Sequence, residues 1–292
     1  MGNKTILLTG GTGFLGSSLA KALVDKNEKI LLLVREQSSL SRVRKFLNKV
    51  EIINIDKVSL SEIFDNYKIN IVINSAASYG KKNESTADIL KANCLFPLEI
   101  LKKSIEKEVE QFINIGTSLN PFVNEYSLTK HQFANWLFFY KNEIKIKNVI
   151  LEYFYGPGDD SWKFITMLFE SFKSKKELID FTSGEQKRNF IFIDDVVSAL
   201  LEIMEDKLIS EDLAIYHVKN NEEIVIKELV QLCKKITNNT TTSLNFGVLN
   251  DRVNDIHNSG NLNYKNVPNW IPKISLNEGL KITWDYINQN NN

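Results

Sequence analysis

The most constraining stretch of this chain is Thr5-Ile6-Leu7-Leu8-Thr9-Gly10-Gly11-Thr12-Gly13-Phe14-Leu15-Gly16, where an apolar run meets regularly spaced glycines and passes into a helical pattern over Phe14–Lys26. An apolar run without polar alternation suits a strand covered on both faces, as in a parallel sheet. A glycine-rich turn that carries such a strand straight into a helix serves few ends. Gly10 permits the tight turn, Gly13 lets the backbone come close to a bound group, and Gly16 lets the helix pack on the strand. The helix start adds unpaired N–H groups and a partial positive charge. That combination fits a pyrophosphate, so Gly10, Thr12, Gly13, Phe14, Leu15 and Gly16 are expected to cradle a dinucleotide cofactor.

The alternation continues for half the chain. Apolar runs at Lys29–Val34, Val50–Ile55, Asn70–Asn74, Gln111–Ile115 and Asn148–Tyr153 are separated by helical patterns at Ser38–Asn48, Ser61–Tyr67, Thr86–Lys107 and Tyr126–Glu143. Repeated β-α-β units with right-handed crossovers predict an α/β fold, a doubly wound parallel sheet of the Rossmann kind, over residues 1–153. After Gly156-Pro157-Gly158 the regularity lapses. Helical patterns at Trp162–Lys175, Asp194–Glu205, Ile226–Thr237 and Leu276–Asn288 alternate with short strand patterns at Leu178–Phe181, Phe190–Ile193, Ala214–Val218 and Ser243–Phe246. They predict a smaller mixed C-terminal substrate-binding domain made of residues 154–184 and 221–292, with 185–220 returning to the first domain.

Composition narrows the partners. Lys plus Arg and Asp plus Glu both number 36, so no basic excess argues for nucleic acid or for a polybasic membrane anchor. No run approaches the roughly 18 apolar residues of a membrane span. The apolar start is too short for a signal peptide. Cys94 and Cys233 leave a disulfide open, yet a chain with this much core does not need one, and a reducing cytoplasm is the expected setting. His131, His217 and His257 are scattered without ligand spacing, so no metal is expected.

Two further places bear on the cofactor. Leu33-Val34-Arg35-Glu36-Gln37-Ser38-Ser39 ends the second strand, where an adenosine ribose would lie. Arg35 can grip a 2′-phosphate with two charge-assisted bonds and Ser38 can add another, which favours NADP(H), while Glu36 beside them is the kind of acid that favours NAD. Asp56, just past the third run, is placed either to bond the adenine amino group or to cap the next turn.

Tyr126-Ser127-Leu128-Thr129-Lys130 sets a phenol and an ammonium on one face of a helix. A free phenol titrates near ~10, too high for efficient proton transfer at neutral pH. A fixed cation one turn away stabilises the phenolate and makes Tyr126 a usable general acid or base. Such a pair arises often by chance; its place after the fifth strand gives it weight. That strand ends Ile115-Gly116-Thr117-Ser118, and the Thr117 hydroxyl can bond the same substrate oxygen. Thr117, Tyr126 and Lys130 are therefore the expected catalytic residues.

With these residues the chain resembles the extended short-chain dehydrogenase/reductase family, the NAD-dependent epimerases and dehydratases, in its sugar-nucleotide-modifying branch. The likeness also runs through Asn74-Ser75-Ala76-Ala77, Asn93, Tyr155-Gly156-Pro157-Gly158 and Arg188-Asn189-Phe190-Ile191-Phe192-Ile193-Asp194-Asp195. It implies that Ala76, Ala77, Asn93 and Phe154 join Tyr126 and Lys130 around the cofactor, and that Tyr79, Ser118, Tyr153, Arg188 and Arg252 contact a sugar nucleotide. Tyr79 could instead pack in its loop, and Arg252, flanked by Asp251 and Asp255, could form a surface ion pair. Ala77-Ser78-Tyr79-Gly80, Gly116-Thr117-Ser118-Leu119-Asn120-Pro121 and Thr182-Ser183-Gly184-Glu185-Gln186-Lys187-Arg188 resemble the reductases of CDP-linked 3,6-dideoxy-4-keto sugars. The resemblance thus implies NADPH-dependent reduction at carbon 4 of a CDP-linked deoxyhexose, in the making of O-antigen or other cell-surface sugars. Dehydratases of this branch carry Asp-Glu after the catalytic Thr, where this chain has Ser118-Leu119, and carbon-3/5 epimerases of the GDP-fucose type carry Cys at the position of Leu119. An NAD-retaining UDP-hexose 4-epimerase uses the same three catalytic residues and stays open; a non-catalytic NADP-binding module commonly lacks the Tyr/Lys pair. Many relatives dimerise through the helix that here carries Phe133, Trp136, Leu137, Phe139 and Tyr140, so a homodimer is expected, although the run also reads as core.

Overall fold

A computed structural model describes residues 4–207, 212–251 and 264–289. In chain order the strands are β1 (Thr5–Thr9), β2 (Lys29–Val34), β3 (Glu51–Asn54), β4 (Ile71–Asn74), β5 (Gln111–Ile115), β6 (Lys145–Leu151), β7 (Tyr153–Tyr155), β8 (Leu178–Asp180), β9 (Lys187–Phe192), β10 (Leu213–Val218), β11 (Glu223–Val225) and β12 (Ser243–Asn245). The helices are α1 (Phe14–Asp25), α2 (Leu60–Asn66), α3 (Thr86–Leu90), α4 (Phe96–Glu106), α5 (Glu125–Phe139), α6 (Phe164–Lys173), α7 (Ile193–Glu205), α8 (Ile226–Ile236) and α9 (Leu276–Gln289). A 3-10 helix covers Ser41–Lys49, and a π-helical turn, Lys91–Leu95, joins α3 to α4.

Seven strands pair in parallel in the order β10-β6-β5-β4-β1-β2-β3. The expected doubly wound α/β sheet is what the chain forms. Leu7, Leu31, Leu33, Val72 and Phe112 pack with Ile63, Ile100, Leu101, Phe133 and Leu137 from α2, α4 and α5. Phe112 meets Phe133 edge to face, with ring centroids 6.2 Å apart. The intervening residues Ile6, Leu8, Ile30 and Leu32 point to the opposite face and are equally buried, as are Leu19, Ala20 and Leu23 of α1. Each such side chain contributes roughly 1.5–3 kcal/mol on leaving water, which accounts for the unbroken apolar runs read in the sequence. Strand order reverses between β1 and β4, and in such sheets the carboxyl ends flanking that reversal form the binding crevice.

Several elements differ from the sequence pattern for identifiable reasons. The sixth strand begins at Lys145 rather than Asn148, because Lys147 is buried within it. Its ammonium donates to the carbonyls of Ile203 (2.6 Å), Met204 (3.3 Å) and Asp206 (2.9 Å), closing the C-terminal end of α7, where unpaired carbonyls concentrate negative charge. Burial brings that lysine down to about 8 from 10.5. The stretch read as one strand to Tyr153 breaks at Glu152, and β7 joins a different sheet. The helix expected over Thr86–Lys107 is interrupted by the π turn, and the pattern at Ser38–Asn48 winds as a 3-10 helix. Capping boxes start α2 (Ser59 with Glu62), α3 (Ser85 with Asp88) and α5 (Asn124 with Ser127).

The chain divides into two compact units, the first Met1–Leu151 with Val197–Val218 and Ser259–Asn269, the second Glu152–Val196 with Lys219–Asn258 and Trp270–Asn292. Residues 185–196 thus lie with the second unit, against the expected return at 185, because β9 pairs with β7 and β11. Lys265 bridges to Tyr216 and ties its neighbourhood to the first unit, a link the sequence pattern did not carry. Within the second unit, α6, α8 and α9 pack together and β12 pairs with β8. The Asp195 carboxylate accepts the backbone N–H groups of Lys273 and Ile274, each at 2.9 Å.

Candidate active site

The glycine loop turns at Gly10, whose φ of +68° is open to glycine and costly for other residues. A side chain there would also strike the backbone nitrogen of Ala76 at 2.5 Å, so the loop lies directly on the segment after β4. Gly16 packs on the Gly10 carbonyl rather than on the strand alone, and a Cβ at 16 would collide with that oxygen. Gly13 takes the N-cap position of α1, with no side-chain cap and no acidic residue in the first turn. The helix start is therefore left for an outside anion, and the residues fit a dinucleotide pyrophosphate.

Near the loop a row of side-chain hydrogen bonds runs across four neighbouring strands. Thr9 Oγ1 donates to Asn74 Oδ1 (2.8 Å), Asn74 Nδ2 to Asn114 Oδ1 (2.9 Å), and Asn114 Nδ2 to Asn148 Oδ1 (2.8 Å). All four residues are buried and stand opposite one another in register. Ala76 N–H donates to Thr9 Oγ1 at 3.1 Å, and Ser75 Oγ to the Thr9 carbonyl at 2.6 Å, so the row also fixes the segment that meets Gly10. Ala77 follows, exposed. Asn74 stands out in the sequence only as a motif residue; Asn114 and Asn148 lie inside apolar strands, and the register that sets them opposite Asn74 is what reveals the row.

Past β5 the ladder to β6 continues, with Gly116 N–H donating to Val149 O (2.7 Å) and Ser118 N–H to Leu151 O (3.2 Å). Thr117 between them is buried, and its Oγ1 accepts from Leu119 N–H at 3.3 Å. His131 of α5 bonds the Leu119 carbonyl through Nε2 at 2.8 Å and Ser127 Oγ donates to the Pro121 carbonyl at 3.3 Å, so the short loop after Thr117 is sewn to the helix that carries Tyr126. Lys130, one turn along that helix, is only 4% exposed, and nothing among the described residues hydrogen-bonds or ion-pairs its ammonium. Burial alone lowers it to about 8 from 10.5. A buried ammonium without a partner fits a site completed by the hydroxyls of a bound ribose.

Asn93, expected around the cofactor, has its side chain engaged with the protein itself. Its side chain is wholly buried in the π turn, and both of its amide hydrogens are engaged, with the Ser78 carbonyl (2.8 Å) and Thr129 Oγ1 (3.0 Å). Its Oδ1 accepts the Ser78 N–H at 2.7 Å. Asn93 therefore supports the site from behind. Tyr79, next to Ser78, stacks on Tyr126 with ring centroids 4.5 Å apart and an interplanar angle of 26°. Of the two roles open to it, packing is the one the structure displays.

Beyond β2, Arg35 is exposed, and its N–H donates to Ser38 Oγ at 3.0 Å while Ser38 N–H returns to the Arg35 carbonyl at 2.9 Å. Asp56 Oδ2 accepts the Glu36 N–H at 2.7 Å and so fastens this turn rather than capping the next one. Glu36 pairs with Lys57 at 2.8 Å. In the second unit, Tyr153 and Arg188 come together, with the guanidinium 5.8 Å from the tyrosine ring centroid and donating to the Lys187 carbonyl at 2.7 Å. Phe154 is half-buried beneath the Lys163 ammonium, 5.4 Å from its ring centroid. Arg252 lies outside the described residues. Cys94 and Cys233 are both free and buried. Among the described residues no three His, Cys, Asp or Glu side chains gather as metal ligands, and no helix is long and apolar enough to cross a membrane.

Comparison with known proteins gives a consistent result. The family described as NAD dependent epimerase/dehydratase matches residues 6–216. A CDP-abequose synthase of Salmonella typhimurium is 29% identical over 94% of this chain and 96% of its own length. That of Yersinia pseudotuberculosis is 30% identical over 80% of this chain and 85% of its own. Among solved structures, UDP-glucose 4-epimerase of Thermotoga maritima with UDP-glucose superposes with a TM-score of 0.81 at 23% identity, over 97% of this chain and 98% of that one. UDP-glucuronic acid 4-epimerase of Bacillus cereus, in complex with UDP-glucuronic acid and NAD, gives 0.80 at 21%, over 98% and 99%. These two establish the likeness of fold.

Proposed function

This chain belongs to the NAD-dependent epimerase/dehydratase family, and from that premise we propose that it reduces the carbon-4 carbonyl of a nucleotide-linked deoxyhexose with NADPH. The substrate we assign is CDP-3,6-dideoxy-4-keto-glucose, with CDP-paratose as product, as a CDP-paratose synthase would make, or its carbon-4 epimer CDP-abequose. The observation that carries the reading is the buried, unpartnered Lys130 one turn from Tyr126, on a helix laced to the loop of Thr117. The full-length likeness to CDP-abequose synthases supports the substrate class.

The glycine loop and the start of α1 would hold the pyrophosphate, with Ala76 and Ala77 beside them, Phe154 near the nicotinamide and Asp56 at the adenine. Arg35 and Ser38 would hold a 2′-phosphate, and Lys57 beside Glu36 partly offsets that residue's negative charge. When bound, the dinucleotide supplies the hydrogen and two electrons that reach carbon 4. Tyr126 donates its phenolic proton to the carbonyl oxygen as negative charge grows there. Lys130 holds the ribose and favours the phenolate left behind, while Thr117 hydrogen-bonds the same oxygen and orients it. Ser118, Tyr153, Arg188 and Arg252 are assigned to the sugar nucleotide, the arginines to its diphosphate. We further propose a cytoplasmic homodimer formed through α5.

Incubation with NADPH or NADH and CDP-, dTDP-, GDP- and UDP-linked 4-keto sugars tests this directly. Stoichiometric NADPH oxidation, fastest with the CDP sugar, is expected. Protein that purifies with tightly bound NAD and interconverts UDP-hexoses without oxidising NADPH would replace the reductase with a 4-epimerase.

A further inference from the structure

Tyr79 and Tyr126 sit on different elements, yet their rings are stacked (4.5 Å, 26°). A stacked pair keeps its geometry only where both backbones are held, and here one buried amide holds both. Asn93 binds the two backbone groups of Ser78, adjacent to Tyr79, through Oδ1 (2.7 Å) and Nδ2 (2.8 Å). Its second amide hydrogen goes to Thr129 Oγ1 (3.0 Å), and that hydroxyl in turn reaches the carbonyls of Glu125 (2.8 Å) and Tyr126 (3.0 Å). On the outer side Ser78 Oγ donates to Glu84 Oε1 (2.9 Å) and Lys82 N–H to Glu84 Oε2 (2.6 Å), which folds the segment back just after Gly80 turns at φ +66°. Even the π turn serves this arrangement, since it carries Asn93 at full burial.

We infer that Tyr79 is a positioning residue for Tyr126: its ring, indexed to α5 through Asn93, fixes the plane of the phenol from which the proton leaves. The inference rests on the reductase reading above. A tyrosine ring on a helix surface rotates and tilts readily; covering one face restricts it and leaves the hydroxyl edge and the other face for substrate and cofactor. Proton transfer demands that the phenolic oxygen stay within hydrogen-bond reach of the carbonyl oxygen, so lost orientation is read in turnover rather than in binding. The role belongs to the ring and not to the Tyr79 hydroxyl, which separates it from a direct contact with the sugar.

The test uses the full chain with NADPH and a CDP-linked 4-keto-3,6-dideoxyhexose, comparing Tyr79→Ala, Tyr79→Phe and Tyr126→Phe, with fluorescence titration of NADPH in parallel. Tyr79→Ala is expected to lower kcat about tenfold or more, ~1.4 kcal/mol of barrier, with KM and NADPH affinity within about twofold. Tyr79→Phe, which keeps the stack, should recover most of that loss. Adding Asn93→Ala to Tyr79→Ala should lower kcat little further, as two parts of one device; should that double variant not fold, the Tyr79 pair alone decides. Wild-type kcat in Tyr79→Ala would overturn the inference, and so would a Tyr79→Phe variant whose KM rises as far as that of Tyr79→Ala, the mark of a lost sugar contact. Undiminished turnover in Tyr126→Phe would instead sink the reductase reading itself, so the two failures are told apart.

Discussion

Lys130 lies almost wholly out of water with no acid beside it among the described residues, and in the proposed mechanism Tyr126 one turn earlier depends on its charge. Replacing Tyr126 by Phe keeps the helix and the stack but removes the proposed proton donor. Turnover should fall about 10²- to 10⁴-fold while NADPH affinity, followed by fluorescence, stays near wild type. Lys130 titrates at about 8 instead of 10.5, so its ammonium is present below that pH and lost above it. Turnover under limiting substrate should therefore decline as pH rises through about 8, and Lys130→Met should be slow at every pH with that limb gone. Stability runs the other way: between about 8 and 10.5 the unfolded lysine keeps a proton that the folded one has released, so wild type gains on Lys130→Met as pH climbs through that window. Chemical denaturation at several pH values checks the sign. The sequence singles out Thr117, Tyr126 and Lys130 because the proposed chemistry needs those residue types at fixed places. It does not single out the partnership of Tyr79, because ring contacts between distant segments leave no local pattern.

Among the elements, the sheet was readable for the same reason that it is stable, since buried strands must be apolar along their length. Lys147 and the amides of Asn74, Asn114 and Asn148 break that rule and become visible only when neighbouring strands align them. The interruption at Lys91–Leu95 is equally hidden, since its residues would suit an ordinary helix. Asn114 donates to one neighbour and accepts from the other. Asn114→Leu would strand a donor of Asn74 and the acceptor of Asn148, at about 1–3 kcal/mol for each buried group left unpaired. A loss of about 2–6 kcal/mol in urea unfolding is expected, with weaker dinucleotide binding, because Asn74 and Thr9 fix the segment under Gly10.

At the scale of the whole molecule, α5 carries Tyr126 on one side and an apolar surface on the other. Phe138 and Phe139 are 60% and 69% exposed, Trp136 is 39% exposed, and Trp136, Phe139 and Tyr140 form one aromatic group with centroids 5.0 to 6.3 Å apart. Large exposed aromatic groups on a soluble protein mark an association surface. Phe139→Glu should shift sedimentation from a dimer to a monomer, and an unchanged wild-type monomer would refute the dimer through α5. One more property follows from the row of amides across β1, β4, β5 and β6. Its donors all point the same way, from Thr9 toward Asn148, so inverting any single amide would set like against like, oxygen on oxygen or NH2 on NH2. The row can reverse only as a unit. The side-chain resonances of Asn74 and Asn114 should accordingly move together in an NMR titration, so that an isotope label deep in the sheet reports what has docked at its rim.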